Sequence, residues 1–270
     1  MNELYNKKPS DVRKLIREEV ITVPTAGMCA GYVQANLVIL PKVYADDFKV
    51  FANKNPKSCP VLEVLDEGSV YTKVIAKNAN IASDIPKYRI YRKGQLTEEC
   101  LNIEKYWQND FVSFLIGCSF TFESALINAG IEIRHISMGR NVPMYKTNIM
   151  CKEAGAFKGA MVVSMRPIPE DNLEDVIRIT KQYPRVHGAP VHIGNPKDIG
   201  IKDLYNPDYG DWVEIKNGEV PVFWACGVTP QAAAEQAKPD IMITHVPGHM
   251  FIADIKNEQL ISCIMGGSDD

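Results

Sequence analysis

The sequence predicts an α/β protein in which a layered α/β/α main domain carries a smaller two-layer α+β domain as an insertion. Three observations lead to this prediction. Short apolar runs typical of buried strands alternate with amphipathic helical segments. Residues 121–184 have a pattern of their own, which is helix, three strands and helix. The chain has 270 residues, enough for one large or two modest domains with a hydrophobic core.

The pattern also predicts where the domains divide. We expect the main domain to comprise residues 1–120 and 185–270, and the inserted module to comprise residues 121–184. Apolar strands separated by helices are typical of parallel sheets, whose two faces are both covered. The main sheet is therefore expected to be partly parallel.

The first half of the chain is predicted to alternate between helices and strands. Ser10 followed by DVRKLIREE is typical of an N-capped helix, and a strand is expected around residues 37–40. YADDFKVFANKNP has helical spacing that ends at Asn55 and Pro56. CPVLEVL predicts a buried strand, and YRIYRKGQL, with a turn at residues 93 and 94, predicts a strand or a hairpin. EKYWQNDFVSFLIG has the apolar spacing of a helix.

The second half begins with a predicted helix, FESALINAG, closed by Gly130. Three strands are expected in IEIRHISM, MYKTNIM and GAMVVSMRP, followed by a helix in EDNLEDVIRITKQYP. PVHIG, a small helix near Asp198 and the strand PVFWACG come next. The helix TPQAAAEQA has Thr229 as its expected N-cap, and two strands follow, in IMITHV and near residues 251–255. The tail GGSDD is expected to be loose.

Composition and charge exclude several function classes. Hydrophobic residues make up 46% and charged residues 23% of the chain, as is usual for a globular protein. The net charge of −3 offers no basic field for nucleic acid or for an anionic membrane. The polar N-terminal segment lacks the apolar core of a signal peptide, and no run of eighteen apolar residues occurs. We expect a cytoplasmic protein with no nucleic-acid or membrane partner, and self-association as a homo-oligomer stays open.

The cysteines and glycines also limit the chemistry. The seven cysteines are widely spaced and form no CxxC pair, which favours reduced thiols over a disulfide framework or a zinc ribbon. The glycine-rich phosphate motifs GxGxxG and GxxxxGK[ST] are missing, so we expect no nucleotide cofactor and assign no other. A GxSxG elbow is also missing, which argues against a serine hydrolase.

Four of the five histidines lie in two short segments. ITHVPGHMFIAD contains His245 and His249, and HGAPVHIG contains His187 and His192. The four-residue spacing of the first pair suits a helical metal site, but Pro247 prevents the helix. Three interpretations stay open for both pairs: a loop-borne metal site, a hydrogen-bonded structural role, and acid/base or substrate-binding work. We assign no metal ligand.

Two cysteines stand directly before predicted helices. Cys118 lies in GCSFTFE with Ser119 as the expected N-cap, and Cys226 lies three residues before Thr229. The dipole of a helix N-terminus stabilises a nearby thiolate, so both thiols are candidate nucleophiles or bases. The alternative is that both are small buried hydrophobic side chains.

Candidate substrate-binding residues are polar or cationic side chains at the predicted strand ends. Arginine presents a planar fork that matches a carboxylate, which makes the clamp candidates Arg134, Arg140 and Arg166, although each could instead form an internal ion pair. Asn36, Thr229 and Gln231 lie in segments rich in small residues and are expected to contact the substrate. His135, beside Arg134 on a predicted strand, is interpreted as a hydrogen-bonded core histidine.

Seven segments together resemble the D-glutamate cyclase family of hydro-lyases. In chain order they are PTAGMCAGYVQANLVILP, FLIGCSFTFESAL, RNVPMYKTNI, VVSMRP, VHGAPVHIG, PVFWACGVTPQ and ITHVPGHM, covering the chain from about residue 10 to about residue 257. The resemblance implies a two-domain α/β fold. It also implies a hydro-lyase that acts on a small carboxylate, with D-glutamate converted to 5-oxo-D-proline and water as the family reaction.

That reaction requires a base for the amine, donors for the oxyanion, an acid for the leaving oxygen and a cation for the α-carboxylate. We expect His245 and His249 to serve as base and acid, and Arg166 to serve as the clamp. Backbone amides near Cys118 or Gly227 are the expected oxyanion donors.

Two other functions fit the same residues. One is a cofactor-independent amino-acid racemase or epimerase, in which Cys118 and Cys226 act as opposed thiolates. The other is a protein that binds a small acid without turning it over. Dehydration of a hydroxy acid cannot be distinguished from cyclisation by sequence, because both reactions need the same acid/base and carboxylate-binding groups.

Overall fold

The computed structural model describes residues 3–265, with side chains to residue 261. The tail GGSDD that is expected to be loose lies outside these residues. The described helices are α1 (Pro9–Arg17), α2 (Lys42–Lys54), α3 (Phe120–Asn128), α4 (Arg134–Ser137), α5 (Leu173–Lys181), α6 (Thr229–Ala237) and α7 (Asn257–Met265). The strands are β1 (Tyr32–Pro41), β2 (Val61–Val64), β3 (Tyr88–Arg92), β4 (Gln95–Cys100), β5 (Phe111–Gly117), β6 (Met144–Met150), β7 (Ala160–Pro169), β8 (His192–Ile193), β9 (Glu219–Ala225), β10 (Met242–His245) and β11 (Phe251–Lys256).

The larger sheet has the strand order β2-β5-β1-β10-β3-β4, and β11 pairs with the same edge of β1 as β10. β10 pairs with Val38 and Ile39 of β1, whereas β11 pairs with Ala35, Gln34 and Tyr32. The two strands therefore follow each other along one edge, separated by the loop 246–250. All strand pairs among the described residues are antiparallel, so the expectation of a partly parallel sheet is wrong. The reason is topological: helix α2 connects β1 to β2, but β5 lies between these two strands and pairs antiparallel with both.

The smaller sheet has the strand order β6-β7-β9-β8. Two of its strands, β6 and β7, lie within the predicted insert 121–184, whereas β8 and β9 lie outside it. The division of the chain at residues 120 and 184 stays a prediction. A module defined by this sheet would extend to about residue 225.

Alternation along β1 explains how the larger sheet is covered on both faces. Val38 and Leu40 face one side, where they pack against α2 and α6. Leu37 and Ile39 face the other side, where they join a core that includes Phe122 of α3. Helices thus cover both faces, and the α/β prediction is confirmed as a mixed fold with two sheets and several helices.

The core on the α3 side extends into the smaller sheet. Ile168 of β7 and Trp224 of β9 belong to the same buried cluster as Leu37 of β1. The rings of Phe122 and Trp224 lie 5.6 Å apart at an interplanar angle of 43°. Residues of α3 therefore fill the space between the two sheets, and this is also where Glu123 lies.

Two predicted elements are wrong. EKYWQNDFVSFLIG was expected to be helical, but it forms a 3-10 turn at Glu104–Tyr106 and then strand β5. Every residue of β5 is buried, so its apolar run carries no alternation that would separate it from a helix. IEIRHISM was expected to be a strand, but it contains the short helix α4.

Two expected helix caps also differ. The first helix begins at Pro9, where proline suits the first turn, and the residue at its N-cap position is Lys8. Thr229 is already inside α6, and its hydroxyl bonds to Val162 of β7. No helix within residues 3–265 is long and apolar enough to cross a membrane.

Candidate functional site

A cleft of about 760 Å³ lies between the segment 23–27, helices α3 and α4, and the segment 139–141. Its lining includes Val23, Ala26, His135, Ile136, Arg140 and Asn141. Clefts of this size with a few convergent polar groups are typical ligand sites. The cleft is therefore our starting point for the site.

His135 lines this cleft and is paired with Glu123, which lines a smaller neighbouring pocket. Nε2 of His135 lies 3.2 Å from Oε1 of Glu123, and both side chains are almost fully buried. The two atoms are within ion-pair distance but are not aligned as a hydrogen bond. The ring stacks on Phe120 at 5.9 Å. Nε2 faces the carboxylate, so Nδ1 is the ring nitrogen left for other contacts, and the side chain as a whole is 1% exposed. The expected core histidine is buried, but it lies on helix α4 rather than on a strand, and its Nε2 has no aligned hydrogen-bond partner among the described residues.

Arg166 holds Glu123 from the opposite side. Its Nε donates to Oε1 of Glu123 at 3.0 Å, and its Nη2 donates to the same oxygen. The remaining donors reach Ser119 Oγ at 3.0 Å and Ser164 Oγ at 3.1 Å. The guanidinium also lies 5.4 Å from the rings of Phe122 and Trp224. Arg166 is fully buried and engaged, so its geometry is that of an internal ion pair rather than an open clamp.

The charge of Glu123 is set by these neighbours. Burial alone would raise the pKa of the carboxyl, but His135 and Arg166 outweigh burial and hold the pKa below its usual range. The second oxygen, Oε2, is buried without a hydrogen-bond partner among the described residues. Glu123 and Gln34 line a small pocket of about 20 Å³ behind the cleft, which has room for one water molecule.

Arg140 and Asn141 lie on the polar side of the cleft. Nη1 of Arg140 donates to the carbonyl of Trp212 at 2.7 Å, and the guanidinium lies 4.2 Å from the Trp212 ring centroid. No carboxylate among the described residues forms an ion pair with Arg140. The backbone N–H of Asn141 donates to Asp211 at 2.9 Å, and its side-chain amide donates to the carbonyl of Pro247 at 3.0 Å.

The loop 246–250 packs directly behind Asn141. A Cβ on Gly248, which has φ of +88°, would lie 2.3 Å from Oδ1 of Asn141, so only glycine fits there. Thr25 fixes the other side of the loop, because its N–H donates to the carbonyl of Gly248 at 2.9 Å and its hydroxyl accepts from Met250 N–H at 3.0 Å. The Pro-Gly pair thus allows the close contact between the loop and the cleft wall.

His245 closes the gap between β10 and β11. Its Nδ1 accepts the N–H of Leu37 at 3.1 Å, at the position on β1 that neither strand covers. Nδ1 also lies 3.3 Å from the carbonyl of Leu37, and Nε2 is buried without a partner among the described residues. Burial lowers the pKa of His245 to about 3. This contact gives His245 a structural role, and its expected catalytic role stays a prediction.

The other predicted histidines are dispersed. Nδ1 of His249 lies 3.3 Å from the carbonyl of Pro247, and burial lowers its pKa. His187 is buried beside the carbonyl of Lys57, 2.8 Å from its Nδ1, and burial lowers its pKa to about 4. His192 lies on β8 at the edge of the smaller sheet, next to Phe223. None of the four lines the cleft, and residues 3–265 contain no group of three His, Cys, Asp or Glu side chains suited to a metal.

Cys118 and Cys226 do come together. Both belong to one buried apolar cluster with Met250 and Phe120. Burial raises the pKa of Cys118 well above its usual range and that of Cys226 to about 11. Neither setting favours a thiolate at neutral pH. The backbone N–H of Cys118 donates to the carbonyl of Gln34 at 3.1 Å, so it is not free to act as an oxyanion donor.

The remaining predicted substrate contacts have partners within the protein. Arg134 forms ion pairs with Glu132 and Glu219, and donates to the carbonyl of Glu214 at 2.9 Å. Asn36 donates to the carbonyl of Gly117 at 2.9 Å. Gln231 donates to the hydroxyl of Tyr91, and Thr229 bonds to β7. Their expected roles in substrate binding stay predictions.

Sequence reasoning missed Glu123, Asn141 and Trp212. Glu123 carried a usable signal, because it is a single carboxylate in the otherwise apolar first turns of FTFESALIN. A buried carboxylate needs a cationic partner, and this requirement points to a functional or structural network. Asn141 and Trp212 carried no such signal, since their contacts depend on distant loops.

Comparison with known proteins agrees with the family resemblance of the sequence segments. Residues 112–254, just over half of the chain, match the family model described as D-glutamate cyclase. The chain is 62% identical over 255 residues to "Putative hydro-lyase Teth514_1597" of Thermoanaerobacter sp., covering 94% of this chain and 96% of the relative. It is 60% identical over 252 residues to "Putative hydro-lyase YcsI" of Bacillus subtilis, covering 93% of this chain and 98% of the relative.

Among solved structures, a nitrogen repressor-like protein from Methanococcus jannaschii matches with a TM-score of 0.38 and 11% identity, over 90% of this chain and 97% of that one. That likeness is too weak to support any statement about fold or function. The family match and the two long, highly identical alignments are sufficient for classification. The chain belongs to the D-glutamate cyclase family.

Proposed function

We propose that this protein is a hydro-lyase that acts on a carboxylate bound in the cleft, with D-glutamate to 5-oxo-D-proline and water as the first reaction to test. The observation that carries the proposal is that His135, which lines the cleft, is paired with the buried carboxylate of Glu123, which Arg166 holds in turn. The names of the relatives, which describe hydro-lyases, support the same reaction class.

In the proposed reaction the α-amine attacks the γ-carboxyl carbon, a C–N bond forms, and the C–O bond to the leaving oxygen breaks. From the ammonium and γ-carboxylate forms of the substrate, two protons pass from the nitrogen to the leaving oxygen. His135 accepts each through Nδ1 and returns it to that oxygen, so that water departs. The Glu123 carboxylate orients the ring and stabilises the imidazolium that forms between the two transfers. Arg140 pairs with the α-carboxylate.

This assignment replaces Arg166 by Arg140 as the carboxylate clamp. The donors of Arg166 already bond to Glu123, Ser119 and Ser164, whereas Arg140 lines the cleft and forms no ion pair among the described residues. Arg166 becomes a positioning residue that keeps Glu123 charged. His245 and His249 remain the competing candidates for the acid/base role.

The experiment is an NMR time course in heavy water with D-glutamate and four proteins: the wild type, H135Q, H249Q and H192Q. We expect 5-oxoproline from the wild type. H135Q should lose at least about 100-fold in rate, the usual contribution of a general acid/base, while H249Q and the edge-strand control H192Q stay within a few-fold. Circular dichroism and a melting curve establish that each variant folds.

Each other outcome has a distinct meaning. Wild-type turnover by folded H135Q, with loss in H249Q, would return the acid/base role to the loop histidine. Loss of the α-proton signal without cyclisation would favour racemisation, a reaction for which the packing of Cys118 with Cys226 is the one structural support. No reaction with D-glutamate or with a panel of small hydroxy acids and amino acids would contradict the hydro-lyase proposal.

A further inference from the structure

The cleft is larger than a compact diacid requires. Its volume of about 760 Å³ lies within the range in which pockets enclose drug-sized ligands. Glutamate would occupy a minor part of it. Glutamate would therefore leave most of the cleft walls uncovered.

One wall is apolar and comes from three separate elements. Val23 and Pro24 belong to the segment before β1, Ile127 belongs to α3, and Ile136 belongs to α4. Val23 is 54% exposed and belongs to neither of the buried apolar clusters on the two faces of the larger sheet. Exposed apolar surface gathered in a concave site is typical of surface that a ligand covers.

Another part of the lining provides the charge. Arg140 and Asn141 line it together with Asp211, whose carboxylate accepts the backbone N–H of Asn141 at 2.9 Å. The Arg140 guanidinium is held over Trp212 and bonded to the Trp212 carbonyl, which fixes its position but leaves donors for a ligand. The lining of the cleft thus combines a fixed cation with an apolar surface.

We propose that the cleft recognises carboxylates bearing an apolar chain, with the carboxylate on Arg140 and the chain on Val23, Pro24, Ile127 and Ile136. This inference rests on the proposed function and specifies its substrate class. A compact diacid still binds through Arg140, but it leaves the apolar wall uncovered and therefore binds more weakly than a longer carboxylate of the same charge.

Binding of unbranched alkanoates from butanoate to octanoate, measured by calorimetry, tests the proposal. Burial of each methylene group predicts about a fourfold gain in affinity along the series. V23S should reduce that gain for the longer members, whereas V20S, a substitution of a nearby valine that is 67% exposed and does not line the cleft, should leave the series unchanged. R140Q should weaken every member by a similar factor.

An affinity that does not depend on chain length would overturn the proposal, and so would equal effects of V23S and V20S. These results are independent of turnover, because calorimetry with the wild type measures binding alone and an unbranched alkanoate has no amine or hydroxyl group for the proposed reaction. A chain-length dependence with no turnover of any tested acid would therefore contradict the proposed reaction and leave the substrate class standing. Turnover of D-glutamate without a chain-length dependence of alkanoate binding would support the proposed reaction and contradict the proposed substrate class.

Discussion

At the scale of single residues, Glu123 organises the site. Its Oε1 accepts hydrogen bonds from Arg166 and also faces Nε2 of His135, so a single buried oxygen contacts both side chains. A carboxylate could occupy this apolar position only with such partners, because an unpaired buried charge is strongly unfavourable. The carboxylate can be identified in the segment FTFE of the sequence, but its two partners lie 12 and 43 residues further along the chain.

The buried histidines predict how stability depends on pH. Burial lowers the pKa of His245 to about 3 and that of His187 to about 4, whereas unfolded histidine titrates near 6.5. Above about pH 6.5 both rings are neutral in both states, and their full contribution is present. Between about pH 6.5 and 4 only the unfolded chain takes up these protons, so the free energy of unfolding falls as the pH falls.

Each ring is expected to contribute up to about 1.4 kcal/mol per pH unit within that window. Urea unfolding at pH 7, 6 and 5 measures the slope, and H187Q should reduce it even if its absolute stability differs. The upper part of the window lies above the range in which paired carboxylates such as Glu123 are protonated. A wild-type slope in H187Q would show that this ring is charged in the folded protein.

At the scale of elements, the end of β5 is the most tightly built junction near the site. A Cβ on Gly117 would lie 2.2 Å from the carbonyl oxygen of Arg185, in the 3-10 turn Pro184–Val186. The N–H of Gly117 also donates to the carbonyl of Pro60 at 2.8 Å. Glycine is required here by a close backbone approach, and this approach positions the start of α3, where Glu123 lies.

We therefore expect G117A to lower the free energy of unfolding by about 3 kcal/mol, the upper range for overpacking against atoms that cannot move aside. The control is G31A, at a glycine with φ of +78° and no atom within 4 Å of the added Cβ, where strain alone should cost about 1 kcal/mol. Urea unfolding of both variants makes the comparison. Equal losses would mean that the turn at Arg185 moves away from β5.

The elements also show where sequence patterns were informative. Helix α2 and the hairpin β3–β4 were predicted correctly, because their spacing and turn residues are local signals. Strand β5 was not, because a strand buried on both faces shows no alternation. Helix α4 was not, since its four residues are too few for a helical period to appear. Because α4 was not predicted, the position of His135 at the cleft could not be predicted either.

At the scale of the whole molecule, the two sheets share one core. Trp224 and Ile168 of the smaller sheet are buried in the same cluster as Leu37 and Phe122. We expect this shared core to make unfolding a single cooperative transition. W107F/W212F leaves Trp224 as the fluorescent probe of the smaller sheet, while far-UV circular dichroism follows both sheets. The two midpoints in urea should coincide.

Separate midpoints would instead support the predicted division into a main domain and an inserted module. The smaller sheet already argues for a different boundary from residues 121–184, because β9 pairs with β7 along its whole length, from Glu219 to Ala225. A fragment that ended at residue 184 would lack β9 and leave that edge of β7 unpaired.

The sequence by itself determined the α/β class, most elements with a local signal, the family, and the segments from which a site could be built. It also supplied the arginine that we place in the cleft as one of three candidates. Only the tertiary structure decided which charges neutralise one another. Among the described residues, Arg134 and Arg166 form ion pairs with carboxylates, whereas Arg140 forms none. His135 contacts the carboxylate of Glu123, whereas His245 accepts a hydrogen bond from the edge of β1. Spacing along a chain encodes local conformation, but pairing between groups depends on distances that only the folded backbone sets.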